Sequence, residues 1–265
     1  MLRTSMKNFA LIILGFICYH IGFSYFEAIM LFLDKAIQYR FFSYILTYII
    51  IGIPIFMVTA YINKNVNFLQ NLGLQSNIIT GILTGIIFSA PMFIGSFLQL
   101  KLARDIRVPD LIAKTLLAGF FEELYFRGYL FGQLFRNTRL GFLPAILLCS
   151  VLFALSHLYQ SHDPGTILGI FITTFMGSVL FAWLFVEWNY NLWVPIFLHS
   201  FMNLSWYIFA VSDNALGSLN ANIFRGCTIA LSIILTLVYK KRKGEKASIN
   251  KRTLVIKKEA QGLLA

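Results

Sequence analysis

The sequence is short of charge. Only 12% of its 265 residues are Asp, Glu, Lys or Arg, about half the share found in ordinary soluble domains. With 58% of the residues hydrophobic and a mean hydropathy of +0.74, that scarcity excludes a globular fold in water. Cysteine is scarce too. Cys18, Cys149 and Cys227 fall one each in three separate apolar runs, which excludes a disulfide framework and a cysteine metal site; each reads as a small packing residue. No Ser-His-Asp set, no cysteine paired with a base and no compact His-Glu-x-x-His motif occurs.

What the chain has in quantity is apolar length, including 27 phenylalanines. Eight runs, at about 9–26, 41–62, 78–98, 111–132, 142–158, 166–186, 192–211 and 222–239, have roughly the 17–25 residues a helix needs to cross a bilayer. They predict an all-α, polytopic integral membrane protein of about eight transmembrane helices, with its site in a helix-bundle cavity. The first run outlasts a signal-peptide core and is followed by no small-x-small cleavage signal, so it reads as a retained span. Gly81 and Gly85 form a small-xxx-small pair, which reads as helix packing.

The net charge of +11 is concentrated. Nine of the 22 basic residues follow position 239, directly after the last apolar run. This reads as a basic cytoplasmic tail against anionic lipid and not as a nucleic-acid surface, because no folded domain accompanies it. With eight spans, the side holding both termini carries fourteen basic residues and the other seven, which places both termini in the cytoplasm.

The informative segment is Gly119-Phe-Phe-Glu122-Glu123-Leu-Tyr-Phe-Arg127-Gly128. Three ionisable groups in an apolar helix would cost about 8–10 kcal/mol if unpaired. Glu123 and Arg127, four apart, can pair on one face. Glu122 is turned about 100° away and keeps no obvious partner. The fifth run brings Phe153-Ala-Leu-Ser-His157; the seventh brings His199 and Asn203, four apart on one face. Intramembrane ionisable groups are functional candidates by default. A carboxylate sheltered from water suits general-base work. A histidine can help deprotonate a water, and a second histidine with an asparagine amide can donate to a developing oxyanion. Other polar residues read more plainly: His20 with Glu27 as an interfacial pair, Glu187, Trp188 and Trp193 as interface residues flanking a turn, His162 with Asp163 in a solvated loop, and Asp34 without a partner.

The motifs Glu-Glu-x-x-x-Arg, Phe-x-x-x-His and His-x-x-x-Asn occur here in order, with Phe126-Arg127-Gly128, Leu192-Trp193 and Pro195 in agreement. On these residues the chain resembles the CAAX protease and bacteriocin-processing family of membrane glutamic proteases, over about Val108 to Phe209. The resemblance implies that Glu122 and His157 activate water, that His199 and Asn203 form the oxyanion hole, and that Glu123 and Arg127 support the site, with no metal. It divides the chain into a variable N-terminal part (1–107, about three spans), a catalytic core (108–211, about four), a last helix (212–239) and the basic tail (240–265). The high Ile, Phe, Asn and Lys usage resembles low-GC bacteria, so a bacterial cell membrane is expected, with a peptide or small membrane protein as substrate. Three alternatives stay open: a non-proteolytic immunity or peptide-binding protein, a zinc protease holding its metal on Glu122, His157 and His199, and a transporter using the buried charges for proton coupling.

Overall fold

The computed structural model describes residues 2–64, 66–100 and 102–257. All eight apolar runs are helical. Helix α1 (Leu2–Ser24) breaks at Tyr25 into α2 (Phe26–Ile37), followed by α3 (Arg40–Ile51) and α4 (Ile53–Ile62), a one-turn α5 (Phe68–Asn71) and α6 (Ile78–Gln99). A continuous helix α7 over residues 108–137 comes next, then α8 (Phe142–Leu155), α9 (Pro164–Glu187), α10 (Trp193–Ile208) and α11 (Leu219–Arg242). Five stretches, Arg3–Ser24, Ile78–Gln99, Phe142–Gln160, Pro164–Glu187 and Leu219–Arg242, are long and apolar enough to cross a membrane, and α3 with α4, bent by 42°, can form a sixth. The chain is an all-α polytopic membrane protein. The two runs that fall short of this are α7 and α10, and the reason is local: α7 carries the Glu122-Glu123-Arg127 charges and two wide turns, and α10 has only 16 residues.

Helix α7 forms the centre. Every residue from Glu123 to Arg136 is buried, so this helix needs no amphipathic stripe. Its interior is aromatic: Tyr125, Tyr129, Leu130 and Phe131 are fully enclosed. The two phenols are satisfied by distant carbonyls, Tyr125 donating to Tyr48 O at 2.7 Å and Tyr129 to Ile12 O at 3.0 Å, which ties α3 and α1 to the central helix. Residues Ala113–Leu117 and Glu123–Phe131 are wound as π-helix. Such wide turns are rare, cluster at functional positions, and here reset the direction of every side chain after Glu122.

Glycines set the closest approaches. A Cβ on Gly81 would lie 2.5 Å from Trp193 Cβ, and one on Gly85 would lie 2.8 Å from Phe197 Cβ, so α6 and α10 meet almost backbone to backbone. This is the packing role expected of the pair. Gly119 does the same between α7 and α10, where a Cβ would come within 2.4 Å of Ser200 Oγ.

Part of the tail packs against the helix bundle. The Glu187 carboxylate, expected at an interface, is buried; it pairs with Lys240 at 2.8 Å and accepts from the amides of Ser248 and Ile249 at 3.0 and 3.1 Å. Carbonyls of Thr253, Leu254 and Val255 then accept from the amides of Phe142, Leu143 and Gly141, at 2.7–2.8 Å. These are the orphan donors of the α8 N-terminus. Lys257 turns inward to Phe135 O. Of the nine basic tail residues, Lys240 and Lys257 are thus buried and six are exposed; Lys258 lies outside the described residues. Asp34, expected to lack a partner, accepts from Ser43 Oγ at 3.1 Å, and Asp163 caps α9 by accepting from Thr166 N at 2.8 Å.

Candidate functional site

The site is built on the Glu122-Glu123 step. Glu123 and Arg127 are fully buried, while Glu122 keeps 28% of its side chain exposed. Adjacent helical positions diverge by about 100°, so one glutamate faces the core and the other a partly open space. Glu123 Oε1 accepts from Arg127 Nη1 at 2.9 Å and from His199 Nδ1 at 2.7 Å. The Arg127 guanidinium lies over the ring of Phe153 at 4.2 Å and over that of Phe181 at 5.3 Å. Those same rings pack on the two histidines, Phe153 on His157 with centroids 4.6 Å apart and Phe181 on His199 at 5.1 Å.

The charged pair is incompletely satisfied. Arg127 Nε and Nη2 and Glu123 Oε2 are buried with no hydrogen-bond partner among the described residues. Each such group costs about 1–3 kcal/mol, and buried ion pairs are in general poor sources of stability. What the pair does accomplish is orientation, because it holds the imidazole of His199.

Both histidines present the same edge. His157 Nδ1 lies 2.7 Å from Phe153 O; a carbonyl only accepts, so that nitrogen carries the proton. His199 Nδ1 donates to Glu123. In each neutral ring the remaining nitrogen, Nε2, is an acceptor, and each Nε2 stands 3.9 Å from Glu122 Oε2. Glu122 Oε2 is itself buried and has no hydrogen-bond partner among the described residues. Glu122 Oε2 and the two Nε2 atoms, from α7, the end of α8 and α10, therefore converge with no hydrogen bond between the carboxylate and either ring. A buried polar atom left in this way calls for a partner such as a water or a substrate group.

Glu122, Glu123, Arg127, His157 and His199, expected from the sequence to act together, are thus within one cluster. Asn203, one turn beyond His199, is half-buried and is not hydrogen-bonded to the other five. Among the described residues no three His, Cys, Asp or Glu side chains are grouped to hold a metal ion. His20 and Glu27 are both exposed, with the break at Tyr25 between them. Phe181, which covers both Arg127 and His199, carried no sequence signal, since a phenylalanine in α9 is one apolar residue among many.

Known proteins match part of this chain. Residues 105–205 match the family described as type II CAAX prenyl endopeptidase Rce1-like. Over 93 residues the chain is 33% identical to the Bacillus subtilis (strain 168) protein named "Putative membrane peptidase YdiL", covering 35% of this chain. The chain thus spans only about a third of that relative's length, 34%. No solved structure matches. Between residues 105 and 205, which include Glu122, Glu123, Arg127, His157, His199 and Asn203, this chain is therefore similar to the Rce1-like CAAX prenyl endopeptidase family.

Proposed function

We propose that this protein is a membrane-embedded endopeptidase of the bacterial cell membrane, hydrolysing a peptide bond in a peptide or small membrane protein. The observation that carries this reading is the convergence of Glu122 Oε2 with the Nε2 atoms of His157 and His199, 3.9 Å from each. That separation is too long for a hydrogen bond and suits one water held between the groups.

In this reading the water gives one hydrogen bond to Glu122 and one to His157 Nε2, leaving a lone pair directed at a substrate carbonyl. As the C–O bond forms, a water proton passes to Glu122. The carbonyl oxygen becomes an oxyanion and accepts from His199 Nε2–H, protonated for this purpose, and from the Asn203 amide. Glu123 accepts from the opposite nitrogen of His199 and fixes the ring, and Arg127 in turn holds the Glu123 carboxylate. The C–N bond then breaks and Glu122 returns its proton to the departing amine. Each member of the network thereby has one task, and the mechanism requires no metal.

Orientation belongs to the same proposal. The excess of basic residues on the side of the termini supports both termini in the cytoplasm, and the six exposed basic tail residues suit an anionic lipid surface. The test compares peptides in membranes containing wild-type and Glu122→Gln protein. Products present only with the wild type, formed in the presence of a chelator by protein free of zinc, support the reading. Products formed equally by Glu122→Gln protein would overturn it, and chelator-sensitive activity would favour the zinc alternative.

A further inference from the structure

Hydrogen bonds run along one edge of the Arg127–Glu123–His199 chain. Glu123 Oε1 accepts from Arg127 Nη1 at 2.9 Å and from His199 Nδ1 at 2.7 Å. The bond at Nδ1 fixes one corner of the imidazole. It leaves the tilt of the ring open, because the torsion that turns a histidine ring has broad, roughly two-fold preferences. Nε2, at the far corner, meets Glu122 only if that tilt is set by a second contact.

Phe181 of α9 makes that contact. The residue is 5% exposed, and its ring centre lies 5.1 Å from that of His199 with the two planes within 20° of parallel. The imidazole therefore rests on a flat wall. The Arg127 guanidinium lies over the same phenyl ring at 5.3 Å. One ring thus touches both ends of the chain whose middle is Glu123. Arg127 Nε and Nη2 have no hydrogen-bond partner among the described residues, so attraction to an aromatic face adds to what hydrogen bonds leave incomplete. His157 is held otherwise: its Nδ1 lies 2.7 Å from Phe153 O, and the ring of Phe153 is inclined to it by 46°.

We propose that Phe181 is a positioning residue of the site, setting the plane of the His199 imidazole and so keeping its Nε2 directed at Glu122. It acts through His199 and not on the reacting atoms. Its kinetic consequence rests on the endopeptidase reading; its effect on the His199 ring does not.

The experiment uses the full chain in detergent and compares Phe181→Leu with Phe185→Leu. Leucine keeps apolar bulk and removes the flat face. Phe185 lies one turn further along α9, is fully buried and packs edge-on against Tyr190 at 5.4 Å, so its variant reports the cost of the same truncation in the same helix. Both thermal midpoints should fall by similar amounts. Peptides cleaved by wild-type and not by Glu122→Gln protein, drawn from a library of internally quenched apolar peptides, serve as substrates. Phe181→Leu is expected to lower kcat about tenfold with KM little changed, the mark of a misaligned group needed in the transition state. Phe185→Leu should keep kcat within about twofold of wild type. A second arm needs no substrate. In protein labelled with 15N-histidine, the His199 Nδ1–H proton is identified by its loss in His199→Gln. In Phe181→Leu this proton should move upfield and exchange with water at least about threefold faster, as its bond to Glu123 loosens, while Phe185→Leu leaves it in place. An unaltered Nδ1–H signal in Phe181→Leu, an equal change in Phe185→Leu, or an unchanged kcat in Phe181→Leu overturns the assignment. Absence of Glu122-dependent cleavage overturns the endopeptidase reading instead, and the Nδ1–H signal then decides the role of Phe181 by itself.

Discussion

Glu123 receives a 2.7 Å hydrogen bond from His199 Nδ1, across 76 positions of sequence, and so decides which nitrogen of His199 faces Glu122. The two adjacent glutamates thereby act on opposite edges of one imidazole: one orients it and the other meets its free nitrogen. This relationship separates the two carboxylates by consequence as well as by position.

Glu122→Gln and Glu123→Gln should fail differently. Glu122 is partly exposed and unpaired, so its amide variant should keep its thermal midpoint while losing peptide cleavage by about 100-fold or more, the scale of a lost general base. Glu123→Gln leaves Arg127 buried without a counter-charge and should cost about 3–5 kcal/mol of stability. Thermal unfolding in detergent, set beside turnover, checks the contrast; equal stability of the two variants would contradict it.

Glycine contacts give a second contrast. Gly85→Ala and Gly119→Ala place a Cβ against Phe197 and Ser200 at 2.8 and 2.4 Å, forcing α10 away from its neighbours. Both should destabilise, and Gly119→Ala should also depress activity, because α10 carries His199. A Cβ on Gly177 of α9 would meet nothing within 4 Å, so Gly177→Ala should be neutral or stabilising by up to about 1 kcal/mol through helix propensity. Unfolding midpoints of the three variants provide the measurement.

Lys257 links the tail to pH. Its burial, with the Arg136 charge beside it, pulls its pKa from 10.5 to about 8. Between those values the unfolded chain holds a proton that the folded chain has released, so stability rises with pH from about 8 to 10.5. Below 8 the whole cost of the buried charge is present. Lys257→Met, which keeps the apolar stem, should therefore stabilise the protein near pH 7 by on the order of 1–3 kcal/mol and flatten the rise. Urea midpoints at pH 7.5 and pH 10 test this; a wild-type midpoint that falls between them would refute it.

Removal of residues 244–265 should weaken the bundle without touching the site chemistry. It strips the acceptors from the amides of Gly141, Phe142 and Leu143 and two amide donors from Glu187. At roughly 1 kcal/mol for each lost hydrogen bond, the loss should be several kcal/mol, seen as a lower midpoint and faster amide exchange at the start of α8. Unaltered exchange there would show that the tail does not cap that helix.

Much of the fold is legible from residue runs, because a helix in lipid must satisfy its backbone internally and therefore announces itself by length. Less legible was which runs are complete spans. Helix α7 reads as an ordinary apolar run, yet Ala113–Leu117 and Glu123–Phe131 are wound as π-helix, and no residue type in the segment spells that out. The tail was legible as basic but not as folded: the acceptors it supplies to α8 are backbone carbonyls, which carry no sequence signature. The buried pairing of Glu187 with Lys240 likewise joins residues 53 positions apart that no local spacing relates.

The sequence by itself determined that the protein is a bundle of membrane helices, that Glu123 and Arg127 share a face, and that Glu122 turns away from them, since helical periodicity and the cost of charge in lipid act locally. Tertiary structure alone decided that His157 and His199 approach Glu122 with their Nε2 atoms foremost and that Phe153 and Phe181 pack on Arg127. Those relations depend on how helices cross, and crossing is fixed by contacts such as Gly119 against Ser200 between residues far apart in the chain.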